Sequence, residues 1–234
     1  MLRGSLDPVV VTAFWSATTI ALYMVAKRVH RALGRWWTSP LGLAPVLIGT
    51  VALLLHTSYH DYIGRTHWLV TLLGPVTVAF AVPIYEQRAL VRRYWPVLIV
   101  GVLVGSTTAM LSAWGLASLL GLSDTLRLSL LPRSMSTPFA MTVSGDLGGV
   151  PDLTAVFVAV TGVAGAAMAE ALLNWLPLRT VLARGTLLGM GAHGAGVAKA
   201  HQIGRQEGSV AGLVMVLVGM VNVLAAPMLA NLLR

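Results

Sequence analysis

Residues 209–233 read SVAGLVMVLVGMVNVLAAPMLANLL, an unbroken run without one Asp, Glu, Lys or Arg. A helix needs about 20 mostly apolar residues to cross the hydrocarbon core of a bilayer, and this run supplies them. Five further stretches meet or nearly meet the same condition: residues 8–26, 36–60, 66–85, 94–123 and 153–169. A seventh, 185–198, is short and glycine-rich, and crosses only if it runs on through Lys199 and His201. An eighth, 126–143, is half apolar but carries Arg127, Arg133, three serines and two prolines, which does not suit a lipid-facing helix.

Composition agrees with the stretches. Hydrophobic residues make up 56% of the 234 positions and charged residues 10%, with a mean hydropathy of +0.80. A soluble domain carries about 25% charged residues, so this chain has too little polar surface to cover a water-soluble globule. The net charge of +8 is not a nucleic-acid footprint, because the 16 Lys and Arg fall in short loops between apolar stretches. With no cysteine there is no disulfide framework, thiolate metal site or thiol nucleophile. The first apolar run continues past the length of a signal peptide core to Lys27 and Arg28, so cleavage is not expected.

Short cytoplasmic loops collect Lys and Arg, and this orients the chain. Lys27, Arg28, Arg31 and Arg35 follow the first stretch, Arg88, Arg92 and Arg93 the third, and Arg179 and Arg184 follow 153–169. With these loops cytoplasmic, Asp61 and Asp124 lie outside. The stretch 126–143 must then enter and leave on one face, as a re-entrant segment. Leu72-Leu73-Gly74 recurs as Leu187-Leu188-Gly189, and Val102-Leu103-Val104-Gly105 as Val216-Leu217-Val218-Gly219, at nearly equal offsets close to half the chain. Two such halves, 1–117 and 118–234, would cross the membrane in opposite directions, the inverted repeat of many secondary transporters. The expected fold is therefore all-α: a multi-pass transmembrane helical protein of about seven spans plus a re-entrant segment, in one domain over residues 1–234.

Three segments carry the candidate site. Gly74-Pro75 and Pro83 interrupt the third stretch, which reads either as a kinked packing helix or as a helix broken at a cavity. Ser136-Thr137-Pro138 has the signature of a helix start inside the re-entrant segment, with Ser134 and Arg133 just upstream. A helix N-terminus favours anions and a guanidinium matches a carboxylate, so these residues form an anion site unless Arg133 is solvated at the head groups. The run Gly189-Met190-Gly191-Ala192-His193-Gly194 matches the dinucleotide fingerprint letter for letter but lacks its strand and acidic context. Its glycines, Gly191 and Gly194 among them, suit an unwound helix, and His193 is either a structural histidine or a proton carrier. Glu170 is read as a neighbour for the arginines at 179 and 184. No catalytic or metal-ligand spacing is present, so neither an enzyme nor a bound cofactor is expected.

Residues 72–85 (LLGPVTVAFAVPIY), 129–141 (SLLPRSMSTPFAM), 148–157 (GGVPDLTAVF) and 191–196 (GAHGAG) together resemble the LrgB/CidB family of bacterial membrane proteins, in order and over nearly the whole chain. Val197 and Glu170 depart from its pattern. The resemblance implies a multi-pass protein of the bacterial cytoplasmic (inner) membrane, acting beside a small LrgA/CidA-type membrane partner, with self-assembly into a homo-oligomer left open. It implies two kinds of function. One is holin-like or antiholin-like control of murein hydrolase export and autolysis. The other is movement of small monocarboxylates, since a plastid relative exchanges glycolate and glycerate and bacterial members are linked to pyruvate. The second is the expectation adopted here: a small carboxylate held by Arg133, Ser134, Ser136, Thr137 and Pro138, by Gly74 and Pro75, and by Gly191 and Gly194, with His193 coupling a proton.

Overall fold

The computed structural model describes residues 7–79 and 81–233, leaving aside the side chains of Trp36, Glu170, Leu232 and Leu233. The described residues form helices α1 (Pro8–Leu33), α2 (Pro40–Leu54), α3 (Tyr59–Thr71), α4 (Leu73–Ala79), α5 (Ala81–Glu86), α6 (Arg88–Leu119), α7 (Asp124–Leu130), α8 (Thr137–Leu147), α9 (Pro151–Trp175), α10 (Val181–Ile203) and α11 (Arg205–Leu233), with 3-10 turns at Trp36–Thr38 and Leu131–Ser134. Among them five runs are long and apolar enough to cross a membrane: Pro8–Leu33, Tyr59–Glu86, Arg88–Leu119, Pro151–Trp175 and Arg205–Asn231. This is an all-α, multi-pass membrane protein. The chain divides into two compact units, with the boundary inside α4, between Val76 and Thr77.

In the first unit, α1 starts where Asp7 accepts a hydrogen bond from the Val9 amide (2.9 Å) and Pro8 fixes the first helical φ. It stops at Gly34, whose left-handed φ of 62° lets its N–H return to the His30 carbonyl. Trp15 is buried on this helix, edge-on to Tyr62 of α3 at 5.3 Å. Polar bonds join the same pair of helices: Thr19 Oγ1 lies 2.9 Å from Tyr62 Oη, and Trp68 Nε1 donates to Ser16 Oγ at 2.8 Å. The stretch 36–60 yields only the 15 residues of α2, roughly 22 Å of helix and short of a full crossing.

In the second unit α11 is the central element. Half of its most apolar window is enclosed by protein, against 28% or less in the other candidate spans. Leu213, Val214 and Val218 on α11 pack with Leu98, Val102 and Met110 of α6 and with Phe139 and Val143 of α8. Asn222 adds a buried polar clamp, donating to Ser106 Oγ at 2.9 Å and to the Val218 carbonyl at 2.7 Å. α6 kinks at Tyr94 (φ −118°, ψ 18°), two residues before Pro96, whose missing amide and ring disrupt the preceding turn.

The stretch 126–143 is a hairpin of two short helices. Its base is closed by polar groups: Ser129 Oγ accepts from the Val150 amide at 2.9 Å, and Thr154 Oγ1 lies 2.9 Å from the Ser129 carbonyl and 2.7 Å from Ser144 Oγ. Ser129, Ser144 and Thr154 are all fully buried. α8 ends at Gly148 in a left-handed conformation (φ 86°), and a Cβ on the following Gly149 would come within 2.9 Å of the Ser129 amide. The end of α7 therefore meets the end of α8, and the Leu131–Ser134 turn runs beside α8 towards the tip at Met135. Arg127, on α7, pairs with Asp124 and lies 5.0 Å from the Trp114 ring centroid, near the hairpin's entry.

The stretch 185–198 corrects the expectation of a crossing that runs on through Lys199 and His201. His193 has φ 38° and ψ −121°, outside helical space, and there α10 turns back on itself. Gly196 lands so close to the Leu188 carbonyl oxygen that a Cβ would overlap it. Gly185 packs on Val210 and His201 on Gly208, so both ends of α10 lie against the first turns of α11. α10 is a second hairpin. Non-helical backbone at membrane depth is tolerated where protein surrounds it, and His193 is only 3% exposed.

Candidate functional site

The two hairpin tips meet beside the middle of α9. The Leu131–Ser134 turn packs on α9 and on α10. The Arg133 main-chain carbonyl lies against the His193 ring, whose other wall is α9: a Cβ at Gly162 would touch His193 Nδ1 at 3.4 Å. Three residues further along α9, a Cβ at Gly165 would come within 2.6 Å of the Gly191 carbonyl oxygen. At Gly165 the absence of a side chain sets how closely the second tip approaches, whereas Gly162 stands in ordinary contact with the ring.

A groove of about 430 Å³ opens at this junction, lined by Arg133 and Leu130 of the first hairpin, Gly191 of the second, and Phe157, Thr161 and Gly165 of α9. α8 begins at Thr137, with Pro138 in its first turn and Ser136 as the flanking cap residue. The Ser136 side chain does not cap the helix. Its Oγ, on a residue 7% exposed, has no hydrogen-bond partner among the described residues. His193 Nε2 is likewise without one. Arg133 is half-buried, and its guanidinium makes no hydrogen bond or ion pair among the described residues. A permanent cation in the groove, the N-terminal turn of an 11-residue helix and two unpartnered polar atoms thus belong to the two adjoining tips, and no carboxylate lines the groove among the described residues. Such a site can take up a small anion that also hydrogen-bonds.

Of the residues expected from the sequence, Arg133, Ser134, Ser136, Thr137 and Pro138 belong to the first tip and Gly191, His193 and Gly194 to the second. Gly194 faces open space, and no neighbour lies within 4 Å of a Cβ built there. Gly74 and Pro75 belong to the first unit, on α4. The Glu170 side chain lies outside the described residues. The contribution of Thr161, Gly162 and Gly165 was not anticipated. Its signal was present as two glycines three positions apart on one face of a membrane helix.

Fold and site define a multi-pass helical membrane protein with two re-entrant hairpins converging on a buried polar junction. The chain belongs to the LrgB-like family, whose profile matches residues 19–232. It is 37% identical over 213 residues to the uncharacterized protein YwbG of Bacillus subtilis, covering 91% of this chain and 95% of that one. It is 31% identical over 192 residues to the antiholin-like protein LrgB of Bacillus subtilis (82% and 80% covered), and 27% identical over 211 residues to the holin-like protein CidB of Staphylococcus epidermidis (90% and 92%). No solved structure is a significant match.

Proposed function

We propose that this protein is a carrier of small monocarboxylates, of the pyruvate and glycolate kind, in the bacterial cytoplasmic membrane, and that its cargo passes chemically unchanged. The supporting observation is that Ser136 Oγ and His193 Nε2, both buried, stand without partners where the tip bearing Arg133 meets the second hairpin. An unpartnered buried polar group costs about 1–3 kcal/mol. An arginine near the bilayer centre costs roughly 2.5–3.5 kcal/mol or more. A carboxylate cargo offsets these costs by binding Arg133 and the first turn of α8, with its other oxygens towards Ser136 and His193. His193 is the group assigned to proton coupling in this reading.

A second reading has its own support. The names of two relatives, holin-like and antiholin-like, back a regulator of murein hydrolase export and autolysis more directly than they back a carrier. Such a regulator works through assembly with a small LrgA/CidA-type membrane partner or with further copies of itself. The two are separated by uptake of labelled pyruvate, glycolate and lactate into proteoliposomes, with and without a proton gradient, alongside autolysis rates in a deletion strain. Saturable uptake that Arg133→Gln impairs supports the carrier. No uptake, with autolysis control restored equally by wild type and Arg133→Gln, establishes the regulator instead.

A further inference from the structure

α9 contributes two neighbouring stripes to the groove at the junction. Phe157, Thr161 and Gly165 form an inner stripe that is half-buried. Val160, Ala164 and Met168, each one turn from the next, form an outer stripe that is exposed, Val160 at 62% and Met168 at 59%. Phe157 and Met168 lie eleven positions apart, so this wall extends for roughly 16 Å along the helix. The groove's volume of about 430 Å³ is far more than a three-carbon acid fills, since a water takes up only about 30 Å³. Its outer edge is thus apolar and its inner part holds a cation, Arg133, whose guanidinium has no hydrogen-bond or ion-pair partner among the described residues. α9 runs from Pro151 to Trp175, so Thr161 and Gly165 flank its midpoint and the groove lies at the depth of the bilayer centre.

The geometry points to a binding site for a single-chain fatty acid, admitted sideways from the bilayer, with its carboxylate on Arg133 and its chain over Val160, Ala164 and Met168. That this ligand shares Arg133 with a transported monocarboxylate rests on the carrier reading; the site itself does not. Three properties select the ligand. A fixed cation calls for an anion, and a guanidinium matches a carboxylate with two parallel hydrogen bonds. An exposed apolar edge at mid-membrane meets hydrocarbon rather than water, so the ligand arrives dissolved in lipid. A phospholipid head group stays in the interfacial layer, whereas a single-chain acid crosses the hydrocarbon uncharged and releases its proton to water on pairing with Arg133. Lipid tails are as apolar as the groove wall, so the chain adds little affinity of its own. The chain delivers the ligand to the groove, and the charge at Arg133 holds it there.

The probe is a diazirine-bearing dodecanoic acid, added to proteoliposomes of the full-length protein in phosphatidylethanolamine and phosphatidylglycerol, with attachment sites read by peptide mass spectrometry. Any diazirine dissolved in the membrane touches the exposed face of α9, so the methyl ester of the same acid is the control. Light-driven attachment to residues 157–168 is expected to be about tenfold greater for the acid than for the ester, to lose that preference in Arg133→Gln and to recover it in Arg133→Lys. Ala164→Trp fills the outer edge from an exposed position, leaves Arg133 in place, and is expected to abolish the preference as well. Equal attachment of acid and ester to the parent protein, or a preference that survives either Arg133→Gln or Ala164→Trp, overturns the site. So does a second copy lying over the edge: in a chain without cysteine, oxidation of Ala164→Cys to a linked dimer would show it. Pyruvate and glycolate uptake by the same vesicles reads the carrier separately. Acid-selective attachment without uptake removes the carrier and keeps the fatty-acid site; uptake without acid-selective attachment removes only the fatty-acid site.

Discussion

Arg133 and His193 both lie where the two hairpin tips meet, and they differ in how much of their placement the sequence disclosed. The position of Arg133 just before the start of α8 was legible from Ser136-Thr137-Pro138, and its role as an anion ligand belongs to the carrier proposal. Arg133→Gln is expected to weaken apparent monocarboxylate affinity by about 1.5–3 kcal/mol, roughly tenfold or more, with Arg133→Lys in between because it keeps charge but loses the planar fork. Half-saturation constants normalised to inserted protein check this, and an unchanged constant for Arg133→Gln removes it as the anion ligand. His193 was legible as a candidate, but not as the strained turn of a hairpin. Its φ of 38° is one that side chains other than glycine rarely adopt, a cost of about 1–3 kcal/mol. His193→Gly therefore keeps the turn and relieves the strain, whereas His193→Ala keeps the strain and loses the ring. Thermal unfolding in detergent is expected to rank the glycine variant above the alanine variant; the opposite order would show that the turn is not strained. Gly162 was not legible, because a glycine's purpose is fixed by what comes to rest on it from far along the chain.

At the scale of elements, the start of α8 and the reversal in 126–143 were read correctly and the reversal in α10 was not. Pro138 behind Ser136 marked the start of α8, and the charges in 126–143 marked a segment that does not cross. Nothing local distinguishes a glycine-rich helix that passes through the membrane from one that turns back, since glycine permits both close packing and sharp turns. The turn in α10 is selected by contacts with α9 and α11, which sequence periodicity does not encode. The first hairpin depends instead on its polar base. Thr154→Val removes the hydroxyl shared by Ser129 and Ser144 and strands a buried carbonyl and a buried hydroxyl, at about 1–3 kcal/mol. The expected outcome is a lower unfolding temperature and faster proteolysis near Gly148. A Thr154→Val protein as stable and resistant as the parent would show that the base is not held by this hydroxyl.

For the whole molecule, the apolar stretches sufficed for the class, because the bilayer imposes them on any chain that crosses it. The span count was less secure, since length and hydropathy do not reveal whether a helix's two ends share a face. Cysteines at Arg179 and Gln206, on either side of α10, are expected to label from the cytoplasmic face alone, and one at Asp146 from outside alone. Labelling of residues 179 and 206 from opposite faces would restore α10 as a crossing helix.

A hairpin with both ends on one face also has consequences for biogenesis. The insertion machinery passes segments across or leaves them behind, and a glycine-rich stretch flanked by Arg184, Lys199 and His201 gives it little reason to admit α10. The surfaces that α10 buries belong to α9, already made, and to α11, made after it. While the nascent chain ends before α11, half of the surroundings of α10 do not exist. On the orientation that the basic loops imply, the hairpin therefore slots in only once α11 has been made, and α11 is the step that closes the surroundings of α10.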